Sequence, residues 1–410
     1  MPAREPLHMV WPASPVGCAT ASADLPSALV PATRPASVPV PGANFGATDF
    51  LGLIQHPEVR QTVQWAVNQY GVASTAWTPF AGMQDAGSVL AAELGDLLQM
   101  AHVSLFPSGW TAGFGAVRSI IHASDHVVLD ALTQIGFYEG AAAATRQVHL
   151  CRHLDVGHLR ATLQSIRHRE TQRSAVLVVT EALFAADASA PDLREMQSVC
   201  AEFEALLCVS VSYDLAAIGP GGTGQLGLQN MLGKVDVVVG SFSPTLASGG
   251  GFVAALDRVL AARMQQEAAG RLPGGATGTA QLVTALAALR IARAEEGERL
   301  RRDLLVRVAH VRSAATARGG IVLGSAAPMV PILVGWEDVC HEAIRLCAGH
   351  GIVVQLLEHP EVPVATARLR LNVSATMAEA PLAPATMRIM ESIHEAERHF
   401  DAANLPPTRS

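Results

Sequence analysis

The sequence predicts an α/β protein whose larger part is a mostly parallel, seven-stranded β-sheet covered by helices. Two observations support this fold class. From about residue 58 to residue 290, short apolar runs alternate with longer segments of helical periodicity, and the short runs are apolar throughout. Continuous apolar strands separated by helices are typical of parallel sheets that are buried on both faces. In such sheets, ligands bind near the carboxyl ends of the strands.

Each predicted strand is a short run rich in apolar and β-branched residues, and the richest run covers residues 175–179. The predicted strands are residues 103–106, 127–129, 148–150, 175–179, 206–211, 235–240 and 252–254. Helices are predicted between them, for example over residues 87–100, 159–168 and 192–205. The order of these elements is that of repeated strand–helix–strand units.

A second, smaller α/β unit follows the large one. A long helical stretch over residues 282–317 leads into strands near residues 321–322, 329–334 and 369–373. We therefore expect a flexible, Pro/Ala-rich N-terminal arm (1–43), a large domain (44–290, beginning with a segment 44–60), a small C-terminal domain (291–400) and a tail (401–410).

The composition excludes several classes of function. Charged residues make up 16% of the chain and the formal net charge is -7, whereas a nucleic-acid-binding surface needs clustered Lys and Arg. No uninterrupted run of about 18 apolar residues occurs, so no membrane span is expected. The 6 cysteines lack the spacing of a disulfide framework, and the N-terminus lacks a secretory signal. Together these features predict reduced thiols and a cytoplasmic location.

An ordered series of motifs resembles one enzyme family over about residues 44–400. The motifs are Asp49-Phe50-Leu51-Gly52-Leu53, Phe106-Pro107-Ser108-Gly109-Trp110, Thr180-Glu181-Ala182-Leu183-Phe184 and Thr366-Ala367-Arg368-Leu369-Arg370-Leu371. The series resembles the α-oxoamine synthases, pyridoxal-phosphate (PLP) enzymes of fold type I that condense an amino acid with an acyl-CoA, usually with loss of carbon dioxide. The resemblance implies the PLP-transferase fold and a dimer in which each chain donates residues to the other's pocket.

The loop that carries the Schiff-base lysine in this family corresponds to residues 238–252, and Pro244 stands at the lysine position. Such enzymes need an amine that holds PLP as an imine and moves protons, and proline has no side-chain amine. The chain contains a single lysine, Lys234, ten residues before Pro244. Strand residues advance roughly 3.3 Å each, which puts Lys234 about 20 Å from the loop. We expect Lys234 to be a solvated residue at the start of a strand.

Other positions that contact PLP in the family also differ in this chain. A gapless match places Ser210 at the Asp that pairs with the pyridinium nitrogen and Tyr213 at the His that contacts the cofactor. Serine cannot supply the negative charge that keeps the ring nitrogen protonated. Asp214 could take that role only through a register shift, which would reverse the faces of its neighbours. Gln134 stands where the family has a His that stacks on the ring.

The phosphate end of the pocket is better retained. Ser108 and Gly109 open a helix after a strand, where free backbone N–H groups favour an anion. The vestigial cofactor and phosphate pocket is predicted to comprise Ser108, Gly109, Trp110, Glu181, Asp187, Ser241 and Ser243. Arg370 matches the family's carboxylate-binding arginine, and a domain-interface ion pair is the alternative. The family's substrate loop, residues 76–83, lacks its Arg and Thr.

A metal site is not expected. Cys151, His153 and His158 could be interpreted as metal ligands, but no fourth ligand has recognisable spacing. The family carries histidines at the corresponding place without a metal, so a structural role is favoured.

Two functional hypotheses remain open at this point. The first is a catalytically degenerate α-oxoamine synthase homologue that acts as the non-catalytic partner of a lysine-bearing subunit in a heterodimer. The second is a PLP-independent acyltransferase or condensing enzyme that keeps the pocket for an acyl-CoA or an acyl-carrier protein. Its candidate groups are Tyr213, Asp187, Glu181, Ser243 and Arg370. In both cases we expect no covalently bound PLP, and at most weak, non-covalent PLP binding.

Overall fold

The computed structural model describes residues 44–71, 86–170, 172–271 and 277–404. The predicted N-terminal arm (1–43), the substrate loop (76–83) and the tail beyond residue 404 lie outside the described residues.

Helices and strands alternate through the first part of the described chain. In chain order they are α1 (Pro57–Tyr70), α2 (Ala86–Leu98), β1 (His102–Phe106), α3 (Gly109–Ile120), β2 (His126–Asp130), α4 (Ile135–Ala144), β3 (Gln147–Cys151), α5 (Val156–Arg169), β4 (Val176–Glu181), α6 (Leu193–Glu202), β5 (Leu206–Ser210), α7 (Gly224–Leu228), β6 (Val237–Ser241), β7 (Gly251–Ala255), α8 (Arg258–Arg271) and α9 (Thr279–Arg293). All seven predicted strands are present, each within about two residues of its predicted ends.

These strands form one sheet in the order β1-β7-β6-β5-β4-β2-β3. The pairs β3–β2, β2–β4, β4–β5 and β5–β6 are parallel, and β7 is antiparallel to both of its neighbours. The predicted α/β class and the mostly parallel seven-stranded sheet are therefore confirmed.

The central strands are apolar throughout because both faces of the sheet are covered. All six residues of β4 are buried. Leu177 and Val179 belong to the apolar cluster on one face, and Val178 belongs to the cluster on the other. Burial of each such side chain contributes about 1.5–3 kcal/mol. These two clusters hold the ends of the strands, and with them the candidate site, in place.

The rest of the described chain builds a second, smaller sheet. Its elements are α10 (Glu295–Ala317), β8 (Ile321–Val322), β9 (Met329–Gly335), α11 (Glu337–Gly349), β10 (Gln355–Leu357), β11 (Ala367–Asn372) and α12 (Leu382–Asn404). The strand order is β10-β11-β9-β8 and every pairing is antiparallel. The boundaries predicted between the two domains stay predictions.

Two details differ from the sequence-based expectations. The helical stretch 282–317 is two helices, because Ala294 between them has extended dihedral angles, with φ -77° and ψ 175°. A Cβ on Gly297 would lie 2.0 Å from the oxygen of Ala292, so the close approach at this break requires glycine. Lys234 lies in the turn before β6 rather than in the strand itself. None of the described helices is both long and apolar enough to cross a membrane.

Candidate active site

The carboxyl ends of the parallel strands bring the sequence-predicted residues to one edge of the large sheet. Glu181 ends β4 and is paired in register with Ser210 at the end of β5. Ser241 ends β6, next to β5 in the sheet. Because parallel strands end at the same edge, these three residues and the loops that follow them line one site.

The N-terminus of α3 forms a possible anion-binding corner beside Ser241. Ser108 caps the helix: its Oγ accepts from the Thr111 backbone N–H at 3.1 Å, and Thr111 Oγ1 accepts from the Ser108 N–H at 3.0 Å. A Cβ on Gly109 would lie 2.6 Å from the Cβ of Ser241, so only glycine lets the helix approach β6 this closely. Ser241 Oγ also accepts from the Ser243 N–H at 3.3 Å. The helix dipole and the adjacent hydroxyl groups suit a phosphate.

The loop after β6 carries Pro244. Its carbonyl accepts from the Phe50 N–H at 3.4 Å, and the turn around it is closed by the Leu246 N–H bonding to the Phe242 oxygen at 2.9 Å. Lys234 lies before β6, where its Nζ donates to the Asn230 oxygen at 2.7 Å. The length of β6 separates Lys234 from Pro244, which at roughly 3.3 Å per residue is more than about 15 Å.

Ser210 is the last residue of β5, and Tyr213 follows it in the next loop. Ser210 Oγ donates to Ser212 Oγ at 3.2 Å, and both residues are buried. The ring of Tyr213 lies under the Arg370 guanidinium, 5.6 Å from its centroid, and burial raises the pKa of Tyr213. Asp214 points elsewhere, since its Oδ2 accepts from the Gln225 N–H at 2.7 Å. The register shift that would bring Asp214 to the strand end is absent from the structure.

Gln134 and Glu181 bond to each other. Glu181 Oε1 accepts from the Gln134 backbone N–H at 2.7 Å, and Oε2 accepts from the Gln134 side-chain amide at 3.3 Å. Burial raises the pKa of Glu181 to about 8, although both hydrogen bonds act in the opposite direction. The side chain at the expected stacking position is therefore tied to the neighbouring strand.

His153 connects two carboxylates near this edge, a connection that the sequence did not reveal. Its Nδ1 contacts Asp130 Oδ1 at 2.8 Å and its Nε2 contacts Asp187 Oδ2 at 3.0 Å. Burial alone would lower the pKa of His153, but the bonds to the two aspartates raise it to about 9. One indication of this network was present in the sequence: Asp130 directly follows the predicted apolar strand over residues 127–129. The structural role favoured for His153 stays a prediction.

Cys151 and His158 take separate partners from His153. Cys151 Sγ contacts the Asp155 oxygen at 3.5 Å, and His158 Nδ1 accepts from the Arg152 N–H at 3.1 Å. The three side chains thus make three different local contacts.

Arg370 reaches from β11 to the loop after β4. Its Nη1 donates to the Ala185 oxygen at 2.9 Å and its Nη2 donates to Gln355 Oε1 at 2.7 Å. Arg368 makes a similar bond to the Ala186 oxygen at 3.2 Å. Both arginines therefore clamp this loop to the small sheet through hydrogen bonds rather than an ion pair. Carboxylate binding by Arg370 stays a prediction.

Comparison with known proteins places this geometry in a family. A family model described as aminotransferase class I and II matches residues 40–389. The 8-amino-7-oxononanoate synthase of Nitrosococcus oceani is 30% identical over 351 residues, which are 85% of this chain and 90% of that protein. This chain belongs to the α-oxoamine synthase family. The 8-amino-7-oxononanoate synthase of Geobacter metallireducens is 28% identical over 340 residues, 83% of this chain and 85% of that protein.

Solved structures show the same fold. Serine palmitoyltransferase with PLP as an internal aldimine has a TM-score of 0.79 at 20% identity, covering 86% of this chain and 88% of that one. Serine palmitoyltransferase of Sphingomonas wittichii has a TM-score of 0.77 at 18% identity, covering 88% of both chains. At these identities the likeness concerns the fold.

One expectation is wrong. The sequence-based prediction was that PLP is not covalently bound and that its binding is at most weak and non-covalent. Membership of the α-oxoamine synthase family overturns this prediction, because the family points to PLP as its cofactor. The error came from weighing single substituted positions above the similarity of the whole chain.

The residues present fit one end of PLP clearly. The corner formed by Ser108, Gly109 and Ser241 offers free helical N–H groups and hydroxyl groups to the phosphate. The assignment of Ser210 to the family's aspartate position and of Pro244 to its lysine position stays a prediction. When bound, PLP supplies an electron sink for carbon–carbon bond chemistry.

Proposed function

We propose that this chain is the non-catalytic subunit of a PLP-dependent acyl-CoA:amino acid C-acyltransferase, working in a heterodimer with a lysine-bearing homologue. In this proposal the lysine-bearing partner subunit carries out the catalytic step. The carrying observation is the position of Lys234, the chain's single lysine, whose Nζ bonds to Asn230 at the far end of β6 from Pro244.

The contacts at the ring end support this proposal. Ser210 bonds to Ser212, and Gln134 bonds to Glu181. The Arg370 guanidinium donates to Ala185 and Gln355. Most of these donors are directed at neighbouring protein groups, and Arg370 Nε is buried without a partner among the described residues. Such a pocket keeps its shape but offers few free groups for chemistry.

The retained parts fit a role in a shared assembly. The phosphate corner and the His153 network keep the loops at the strand ends in position. Next to them, Trp110 and Ile135 are 45% and 63% exposed, although both are large and apolar. A partner subunit at this edge would remove that apolar surface from water. We therefore expect a dimer whose interface includes the mouth of the site.

The test is co-expression of this chain with a lysine-bearing homologue from the same genome, followed by native mass spectrometry and an assay of acyl transfer to amino acids. We expect a 1:1 complex that is active with PLP, and no activity from this chain alone. A matched variant of the homologue, with its lysine replaced by Ala, should still form the complex but lose the activity.

Two outcomes would contradict the proposal. One is an active homodimer of this chain that ignores the homologue. The other is acyl transfer by the isolated chain without added PLP, which would favour the PLP-independent acyltransferase instead. In that case Tyr213, Glu181 and Ser243 would be the first residues to replace.

A further inference from the structure

A groove of about 840 Å³ has strand β3 as one wall and helix α5 as another. Gln147, His149 and Leu150 line it from the strand, and α5 lines it as far as Arg169. The lining is mostly polar, and it includes none of the residues of the candidate active site. The groove is therefore a separate site, with a volume in the range of ordinary ligand pockets.

One wall of the groove is an unpaired strand edge. β3 is an end strand of the large sheet, and in the described part of the chain it pairs with β2 alone. The Cys151 carbonyl accepts from the Ala131 N–H at 3.0 Å, on the β2 side. Backbone groups of successive strand residues point to opposite sides, so those of Val148 and Leu150 point away from β2. These two N–H and two C=O groups have no neighbouring strand among the described residues.

The two edges of the large sheet differ in how they are covered. β1, at the opposite end, packs against α2 and α8, and none of its residues is exposed. In β3, Gln147 and Leu150 are exposed, Leu150 by 55%. Proteins commonly keep a free edge from pairing with charged residues or Pro, and β3 contains no Asp, Glu, Lys, Arg or Pro. The β3 edge is therefore open to main-chain pairing with an extended peptide.

The opposite wall determines which charge the groove favours. Arg169, the last residue of α5, is exposed, and no carboxylate of the described residues lies within ion-pair distance of it. Glu170 also lines the groove, but its Oε1 already lies 2.8 Å from Arg167 Nη1. Arg173 is paired with Glu204 at 2.6 Å. Arg169 is thus left to attract an anionic group, in a chain whose formal net charge is -7.

We propose that this groove binds an extended, acidic peptide segment of a partner protein. The segment pairs with the outward backbone groups of Val148 and Leu150 and places a Glu or Asp side chain at Arg169, which lines the same groove as Leu150. Main-chain hydrogen bonds supply the affinity, and the carboxylate supplies the selectivity. The amide side chains of Gln147 and Gln172 also line the groove, and each can both donate to and accept from a peptide group.

Fluorescence polarisation with the full chain tests this proposal. The probes are labelled peptides as long as β3, made of Val and Thr with a single Glu that occupies a different position in each peptide. Each Glu peptide has two twins, one with Lys in place of Glu and one with methylated backbone amides. We expect at least one Glu peptide to bind. Its Lys twin should bind about tenfold more weakly, and its methylated twin more than about tenfold more weakly.

Arg169→Ala separates the charge contact from the main-chain contact. It should weaken binding of the Glu peptide about three- to fivefold, the range of an exposed charge pair, and should not weaken binding of the Lys twin. Arg60→Ala is the matched control, because Arg60 is an exposed arginine on α1 that does not line the groove. The control variant should retain wild-type affinity for both peptides.

Hydrogen exchange followed by mass spectrometry locates the contact in wild type and does not depend on the folding of a variant. We expect the Glu peptide to slow exchange at residues 148–150 and to leave β1, the other edge of the sheet, unchanged.

Four outcomes would overturn the proposal. The first is that no Glu peptide binds at about 1 mM. The second is equal affinity of the Glu peptide and its Lys or methylated twin. The third is slower exchange at β1 instead of β3. The fourth is protection of β3 that rises with protein concentration in the absence of peptide, which would assign this edge to a second copy of the chain.

Discussion

Two regions at the same edge of the large sheet differ in the contacts that their side chains make. The outer region contains the phosphate corner at Ser108 and the network around His153, and its contacts are short and mutually supporting. The inner region contains Ser210, Gln134 and Pro244, whose match to functional positions of the family stays a prediction. The outer residues hold loops in place, and the inner residues face the space where chemistry would occur.

The difference indicates which residues the fold itself requires. Loss of His153 would remove the charged partner shared by buried Asp130 and partly buried Asp187, so this position is constrained by stability. Ser210 and Gln134 are uncharged, so their replacement would not remove a charged partner from a neighbouring group. These two positions can vary if the pocket is not used for catalysis. The contrast predicts that substitutions in the outer region lower the free energy of unfolding strongly and that substitutions in the inner region lower it only slightly.

The largest effect is expected for His153→Leu. The variant removes both bonds and leaves Asp130 and Asp187 with only their hydrogen bonds from backbone N–H groups and Ser189. We expect the free energy of unfolding to fall by about 3 kcal/mol at pH 6, the lower end for a buried ion pair because Asp187 is partly exposed. Urea denaturation measures this change. His341→Leu breaks an exposed His–Glu pair of 2.8 Å and should cost no more than about 1 kcal/mol. Equal losses in the two variants would mean that the His153 network does not stabilise the site.

The His153 network also predicts how the stability difference between wild type and His153→Leu depends on pH. The pKa of His153 is raised from 6.5 to about 9 in the folded chain. Its contribution to stability is therefore fully present below pH 6.5 and is lost as the pH rises to about 9. The gap between wild type and His153→Leu should narrow steadily over that window. A gap that stays constant from pH 6 to pH 9 would show that His153 is not protonated in the folded chain.

A smaller but still clear effect is expected for Gly109→Ala. The new Cβ would meet the Cβ of Ser241 at 2.6 Å, which would displace α3 from β6 and lower the free energy of unfolding by about 1–3 kcal/mol. Gly349→Ala is the matched control, since nothing lies within 4 Å of its added Cβ. Thermal and urea unfolding of both variants measure the comparison. A Gly109→Ala chain as stable as the control would show that the corner is not tightly packed.

The sequence predicted the large sheet well because its signal is local. Each strand is a continuous apolar run, and burial on both faces requires such runs regardless of which strands are neighbours. The break at Ala294 was missed because the only nearby sequence signal, Gly297, lies three residues further on, inside the next helix. Antiparallel pairing in the small sheet likewise depends on contacts far apart in the chain.

The candidate site was only partly predictable for the same reason. The matched motifs predicted Ser210, Tyr213 and Arg370 as site residues. What they could not give is the set of contacts each side chain makes, such as the bond from Gln134 to Glu181 or the aspartates on either side of His153. The cofactor prediction was wrong because it rested on substitutions taken one at a time. Family membership is a property of the whole chain.

The smallest effect is expected at Tyr213, inside the ring-end region. Tyr213→Phe keeps the ring under the Arg370 guanidinium and removes only the hydroxyl group. We expect the free energy of unfolding to change by no more than about 1.5 kcal/mol, because the ring contact with the guanidinium is kept. Tyr70→Phe, at a half-exposed tyrosine, should change it by less than about 0.5 kcal/mol. A loss above about 3 kcal/mol, comparable to that of His153→Leu, would place Tyr213 among the residues that the fold requires and would remove the contrast between the two regions.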